Sequence, residues 1–200
     1  SDSSAYLFRH YLTFTIFFIA VYFFYRLGRD RFKSVSWGLL GTLLLVLSPR
    51  FFGDSFFNNK DIVFASFYII GTYTLVQLLV RPTIAKAALH ALACALAIDT
   101  RIVGVVLPAI TVATFLAYSF SQNQLNLRRL GLLSLYLILL ALLIIGFWPW
   151  LWANPVEHFF TAFKNMAHFR HGADMVFFGD IISARNLPWY YIPVWIGITT

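Results

Sequence analysis

The sequence predicts an all-α protein, a multi-pass bundle of transmembrane helices. Of its 200 residues, 60% are hydrophobic and only 12% are charged, which is far from the balance of a soluble domain. Uncharged runs of 19, 21 and 25 residues occupy Ile62–Val80, Ile102–Gln122 and Leu130–Asn154. Because a helix needs about 20 residues to cross roughly 30 Å of hydrocarbon, these runs predict membrane-spanning helices.

About seven spans are expected along the chain. Two of them are short, but the Trp, Tyr and basic residues at their ends can anchor them at headgroup level. The expected spans are Tyr11–Tyr25, Val35–Leu47, Ile62–Val80, Ala85–Ile98, Ile102–Phe120, Leu130–Trp152 and a last one that begins near Trp189. The sequence ends inside that last apolar run, so residues 1–200 are interpreted as a single transmembrane domain, a fragment of a longer protein.

Basic residues are concentrated in the connectors on one side of this bundle. Arg26–Lys33, Arg81–Lys86 and Arg128–Arg129 together hold eight basic residues and one acidic residue. The positive-inside rule therefore assigns that side to the cytoplasm. Since the net charge of +7 is divided among short loops and forms no continuous stripe, a nucleic-acid partner is not expected.

The segment that points most directly to function is Ser48–Asp61, which lies on the other, external side. It places four ionisable residues between two apolar runs, namely Arg50, Asp54, Lys60 and Asp61. At a bilayer boundary such groups cost free energy unless they are paired, hydrated or used, so each is a candidate for function. Asp54 could serve as a general base or accept a hydrogen bond from a sugar hydroxyl, and it could equally pair with Arg50.

The end of the same segment is expected to start a helix. Pro49 should end the helix before it, whereas Asn59 or Asp61 could cap the helix after it. Lys60 would add a positive charge beside the free N–H groups of that helix N-terminus, which suits an anion such as a phosphate. The alternative for Lys60, as for Arg50, is a snorkelling membrane anchor.

Two further regions carry candidate residues on the external side. Asp99 and Arg101 flank a turn between two spans, where they form either a structural ion pair or, through the arginine, a phosphate ligand. The long segment 153–188 is expected to be an external loop in which Pro155–His171 forms an amphipathic helix. Within it, His168 and His171 could share a helix face and bind a divalent metal, although interfacial histidines are the commoner case.

Other patterns are less informative. Cys94 is the single cysteine and lies among small residues in Ala91–Ala97, so it is interpreted as a helix-packing residue without a disulfide partner. The sequence has no phosphate-cradling glycine loop and no zinc-type Cys/His spacing. A nucleotide site is therefore not expected.

Four segments together resemble bacterial multi-pass glycosyltransferases of the protein-mannosyltransferase-like group (family 39-like). The first is Ser48–Asp61, Ser-Pro-Arg-Phe-Phe-Gly-Asp-Ser-Phe-Phe-Asn-Asn-Lys-Asp, and the second is Ala97–Gly104, Ala-Ile-Asp-Thr-Arg-Ile-Val-Gly. The others are Phe147–Pro155, Phe-Trp-Pro-Trp-Leu-Trp-Ala-Asn-Pro, and Leu187–Ile196, Leu-Pro-Trp-Tyr-Tyr-Ile-Pro-Val-Trp-Ile. The resemblance implies a GT-C membrane fold and an enzyme that takes a sugar from a polyprenyl-phosphate donor on the non-cytoplasmic face.

The resemblance also implies roles for residues. Lys60 would lie near the donor phosphate, with Asn59 and Asp61 shaping the start of the helix, and Arg101 and His168 are weaker candidates. The catalytic carboxylate is expected upstream of this chain, so the fragment alone is expected to be inactive. The implied location is a bacterial inner membrane with the site facing outward.

A transporter or flippase for an anionic lipid or small solute is the alternative. Such a protein should place charges near the bilayer midplane, often in two related halves. Here the charged candidate residues gather at the external side of the bundle and no internal repeat is visible, which favours the enzyme.

Overall fold

The structure, a computed structural model, describes residues 2–167, 174–184 and 186–199. Helices make up most of these residues, which confirms the all-α prediction at that level. The α-helices are α1 (Asp2–Phe32), α2 (Val35–Leu47), α3 (Pro49–Asp54), α4 (Asp61–Val80), α5 (Ile84–Thr100), α6 (Val106–Ser121), α7 (Leu127–Phe147), α8 (Pro155–Ala167) and α9 (Tyr191–Thr199). Short 3-10 helices occupy Ile102–Val105 and Pro149–Trp152, and two strands, β1 (Asp174–Phe177) and β2 (Asp180–Ser183), form a hairpin. The chain divides into two compact units, Ser1–His158 and Phe159–Thr200.

Four helical segments among the described residues are long and apolar enough to cross a bilayer. They are Ser3–Phe32, Asp61–Val80, Ile102–Ser121 and Leu127–Phe147. The 13 residues of α2 and the 17 of α5 make helices only about 20 and 26 Å long, short of a hydrocarbon core of roughly 30 Å. The fold is therefore compatible with an integral membrane protein, whereas seven spans and a GT-C arrangement are not shown.

The ends of two candidate spanning helices differ from the expected ones for local reasons. Helix α1 continues well past Tyr11–Tyr25; at its C-terminal end arginine is a good helix former, and Arg26 pairs with Asp30 one turn further on at 3.8 Å. Helix α7 stops at Phe147 instead of reaching Trp152. Pro149 causes this, since its ring disfavours the helical conformation at Trp148 and the chain turns into a 3-10 helix.

Helix α5 forms the centre of the first unit, where it packs against α4 on one side and α7 on the other. Its buried positions are mostly small, including Ala87, Ala91, Cys94 and Ala97. Small side chains let helix backbones approach closely, which is how helices associate within a membrane. Cys94 is buried as a free thiol, in agreement with the packing role predicted for it.

The second unit contains a feature that the sequence analysis did not predict. β1 and β2 pair antiparallel, with Phe178 and Gly179 both at positive φ in the turn between them, as a two-residue hairpin requires. Phe177 is buried and its ring contacts Tyr190 and Tyr191 at centroid distances of 5.9 and 5.0 Å.

The helix expected in Pro155–His171 is present as α8, which is more amphipathic than α4 or α7.

Candidate functional site

The segment Ser48–Asp61 is more ordered than a connecting loop. Ser48 has an extended backbone and Pro49 is the first residue of α3. Helix α2 therefore ends just before the proline, as the sequence predicted. After α3 the backbone turns over several residues and enters α4 at Asp61. The polar residues of the segment are therefore held between the short helix α3 and the start of the long helix α4.

The side chain that organises this turn is Asn58. Its Oδ1 accepts hydrogen bonds from the backbone N–H groups of Lys60 at 3.2 Å and Asp61 at 2.9 Å. Its Nδ2 donates to Asp54 Oδ2 at 3.3 Å and to Asp61 Oδ2 at 3.1 Å. The expectation that Asn59 or Asp61 caps α4 is thus wrong. Lys60 occupies the N-cap position without a side-chain cap, and an Asx turn made by Asn58 supplies the acceptor instead.

Arg101 forms an ion pair with Asp61, and this contact joins two segments that are far apart in the sequence. The side chains are 35% exposed for Arg101 and 50% exposed for Asp61, so the pair is partly shielded from solvent. Of the two alternatives for Arg101, an ion pair with Asp99 is therefore not the one that forms, since Asp61 is its partner. Because α4 starts and α5 ends here, the contact also shows that the two helices run antiparallel.

Arg101 is positioned near Asp61 by a turn in which the backbone at Gly104 lies close to the backbone at the end of α5. Arg101 leaves α5 with an extended backbone and enters the 3-10 helix Ile102–Val105. A Cβ placed on Gly104 would lie 2.8–2.9 Å from backbone atoms of Ala97 and Ile98, closer than real Cβ contacts. Glycine is therefore required for the turn to fold back against the end of α5.

The remaining expected residues are spread around this contact. Arg50 is exposed and makes no ion pair within the described ranges, so the alternative in which it pairs with Asp54 does not apply; Asp54 accepts a hydrogen bond from Asn58 instead. Asp99 is exposed at the last turn of α5, beyond the apolar run, where partial desolvation raises the pKa of its carboxyl above the ordinary value.

Lys60 and Asn59 are exposed beside the ion pair. The ammonium group of Lys60 has no hydrogen-bond or ion-pair partner among residues 2–167, 174–184 and 186–199. Two of the backbone N–H groups at this helix start are occupied by Asn58, so less of the helix N-terminus is open to an anion than the sequence predicted. The free charge of Lys60 is the part of the expected anion site that remains available.

An apolar cavity of about 540 Å³ adjoins the same segment. Helix α1 contributes aromatic and aliphatic side chains to it, and the other wall is Phe56 and Phe57, shortly before Lys60. His10 reaches across the cavity, where Nδ1 hydrogen-bonds the carbonyl oxygen of Phe56 and Nε2 is buried without a hydrogen-bond partner among the residues that the structure describes. Phe14 stacks on Phe56 at 5.3 Å between ring centroids. These residues could not be predicted from the sequence, because nothing in the apolar run of α1 marks which face meets Phe56.

A second group that the sequence analysis missed lies inside the bundle. His90 is fully buried, with Nδ1 2.8 Å from Thr74 Oγ1 and Nε2 2.8 Å from Thr111 Oγ1. Tyr136 stacks on the imidazole at 5.1 Å and donates its hydroxyl hydrogen to Cys94 Sγ at 3.4 Å. Four helices thus meet at one histidine. The available signal was a histidine within the otherwise small and apolar run of α5.

The structure does not test a metal site at His168, since this residue and His171 lie outside the described ranges. Within the ranges that are described, no three His, Cys, Asp or Glu side chains are grouped closely enough to hold a metal ion.

No protein-family model, curated protein or solved structure matches the chain.

Proposed function

We propose that this chain is the membrane-embedded part of a glycosyltransferase that moves a sugar from a polyprenyl-phosphate donor to an acceptor on the non-cytoplasmic face. The observation that carries the proposal is the contact between Asp61 and Arg101. It joins Ser48–Asp61 to Ala97–Gly104, the two charged segments on which the resemblance to these enzymes rests. A purely structural connector would not require these charged side chains at one end of the bundle.

Within this proposal the basic residues have different roles. Lys60 has an exposed, unneutralised charge within the described residues, so it is assigned to the phosphate of the donor. Arg101 is already paired with Asp61 and is assigned a positioning role, holding the start of α4 in place. Negative charge grows on the phosphate as the sugar leaves, and a fixed ammonium group stabilises that charge.

The apolar cavity beside the segment suits the lipid part of such a donor. Its volume of about 540 Å³ is within the range of small-ligand pockets, enough for a few isoprene units. Tyr6, Tyr11, Phe14 and Phe57 line it, and aromatic rings pack well against branched, unsaturated chains. We assign the phosphate-proximal end of the tail to this surface because Phe57 precedes Lys60 by three residues.

The second candidate is a transporter for an anionic lipid or small solute, and His90 favours it. An ionisable side chain in the interior of a membrane bundle is a frequent mark of a transport or proton pathway. His90 lies near the middle of α5 and contacts threonines of two other helices. Both of its ring nitrogens have partners, which is equally what a structural hydrogen-bonded cluster requires.

Sugar transfer by the full-length protein in proteoliposomes, with a labelled polyprenyl-phosphate sugar, tests the proposal. Lys60→Gln is expected to lower transfer about tenfold or more, since a hydrogen bond to a charged group contributes about 1.5–3 kcal/mol. Lys60→Arg should retain part of the activity. Arg31→Gln, which removes an exposed charge at the other end of α1, is the matched control and should transfer normally.

Two outcomes would contradict the proposal that the protein is a glycosyltransferase. If Lys60→Gln transfers as well as the wild type, Lys60 is a membrane anchor. If no common donor supports transfer while His90→Leu abolishes uptake or flipping of a labelled anionic lipid, the protein is a transporter.

A further inference from the structure

A second cavity of about 540 Å³ lies at the other end of the bundle from the Asp61–Arg101 pair. It opens between the first turn of α5, Thr83–Ala85, and the beginning of α7. Because α5 ends at Thr100 beside Arg101, its first turn is a full helix length away from that pair. The cavity is therefore separate from the site proposed above.

The mouth of this cavity carries an arginine whose charge the protein does not neutralise. Arg128 is exposed and has no ion-pair or hydrogen-bond partner for its guanidinium in the part of the chain that the structure describes. Two basic residues nearby already have hydrogen-bond acceptors. Lys86 Nζ donates to the carbonyl oxygen of Gln77 at 3.1 Å, and Arg129 Nη1 donates to Ser119 Oγ at 3.0 Å.

The two helix starts add to this positive potential. Both α5 and α7 begin at the cavity, so their dipoles present positive ends to it. The N–H groups of Ile84 and Ala85 lie in the first turn of α5 and have no carbonyl partner within the helix. These features add to the charge of Arg128, which makes the largest contribution to the positive potential at the cavity.

Below the arginine the cavity is apolar. Leu132 and Leu135 line it one and two turns further along α7, and Gly131 leaves room between them. A Cβ at Gly131 would meet nothing within 4 Å. The cavity thus has a positive mouth and an apolar floor, and it lies where the spanning helix Leu127–Phe147 begins.

We propose that this cavity binds an anionic membrane phospholipid, with its phosphate at Arg128 and an acyl chain along Leu132 and Leu135. Charge complementarity selects a negative headgroup, and the apolar floor selects a lipid over a free phosphate ion, which would leave it uncovered. The side on which the cavity lies is the one that the basic connectors assign to the cytoplasm, where anionic lipids are concentrated.

Native mass spectrometry of the full-length protein tests this proposal. The protein is extracted from vesicles of equal parts phosphatidylglycerol and phosphatidylcholine, and the retained lipids are counted. The wild type should retain phosphatidylglycerol, and Arg128→Gln should lower its retention about fivefold, the effect of one basic residue near an anionic surface. Gly131→Leu, which fills the cavity without removing charge, should lower it as well.

Arg31→Gln is the matched control, because it removes one exposed charge from the same side of the bundle. If Arg31→Gln and Arg128→Gln reduce retention equally, the attraction is non-specific and the proposal is wrong. Displacement of the lipid by millimolar inorganic phosphate would also overturn it, since the site would then bind an ion alone. Melting curves of each variant, recorded by tryptophan fluorescence, establish that the fold is retained.

Discussion

Breaking the Asp61–Arg101 ion pair is the most direct test of how the candidate site is built. Three variants are compared with the wild type: Asp61→Asn, Arg101→Gln and the double variant. Asp61→Asn keeps the shape of the side chain, and Arg101→Gln keeps a polar but shorter side chain, so that each variant removes one charge of the pair. The quantity of interest is the coupling energy, which is the part of the destabilisation that the two single variants share.

The magnitude follows from the exposure of the two side chains. Exposed ion pairs contribute about 0.2–1 kcal/mol, and this pair, with 35% and 50% exposure, belongs at the upper end because part of each side chain is shielded from water. We expect a coupling energy of about 1 kcal/mol, a factor of about five in the unfolding equilibrium. Asp61→Asn should be the more damaging single change, because a carboxylate at a helix N-terminus contributes a further 0.3–1 kcal/mol, roughly.

Thermal unfolding of the full-length protein in detergent, followed by tryptophan fluorescence, provides the measurement. For a domain of this size, 1 kcal/mol corresponds to a shift in Tm of about 2–4 °C. The coupling should shrink in 1 M salt, which screens partly exposed charges. Strictly additive single variants, or a coupling that salt leaves unchanged, would refute the ion pair as the link between α4 and α5.

Two further predictions concern the packing that supports the site. Gly104→Ala should destabilise the protein by about 1–3 kcal/mol, the usual cost of overpacking, because its Cβ would overlap the backbone of Ala97. Gly146→Ala is the control and should have no such effect, because its Cβ would meet nothing within 4 Å. Equal melting temperatures for the two variants would contradict the prediction. His90→Leu should cost only about 1 kcal/mol, since hydrogen bonds between membrane helices average about 0.6 kcal/mol each and each threonine hydroxyl has a carbonyl oxygen of its own helix within reach as an acceptor once the imidazole is gone. Chemical unfolding of both variants measures these values, and complete loss of folding in His90→Leu would show that the cluster carries more of the stability.

Much of the secondary structure follows from local chemistry. Ile62–Val80 and Ile102–Phe120 agree closely with the helices observed, because an uncharged apolar run in a membrane must satisfy its backbone hydrogen bonds within itself. Pro49 ends α2 as predicted, since the restriction that proline imposes on the preceding residue is local. The hairpin at 174–183 was missed because its strands have only four residues each, too few for a clear alternation.

The functional contacts were harder to predict. Asp99 was the nearest carboxylate to Arg101 in the sequence, yet Asp61 is its partner in space. Asn58 and Asn59 are chemically identical, and only the path of the turn decides which of them reaches the amides of α4.

By itself, therefore, the sequence determined which segments are helical, where prolines interrupt them and which polar segments share one end of the bundle. These properties depend on hydropathy and backbone geometry over a few residues. The tertiary structure alone decided that Arg101 meets Asp61 and that His90 meets Thr74 and Thr111. Such contacts depend on the rotation of each helix about its own axis, which the packing of side chains from distant segments sets.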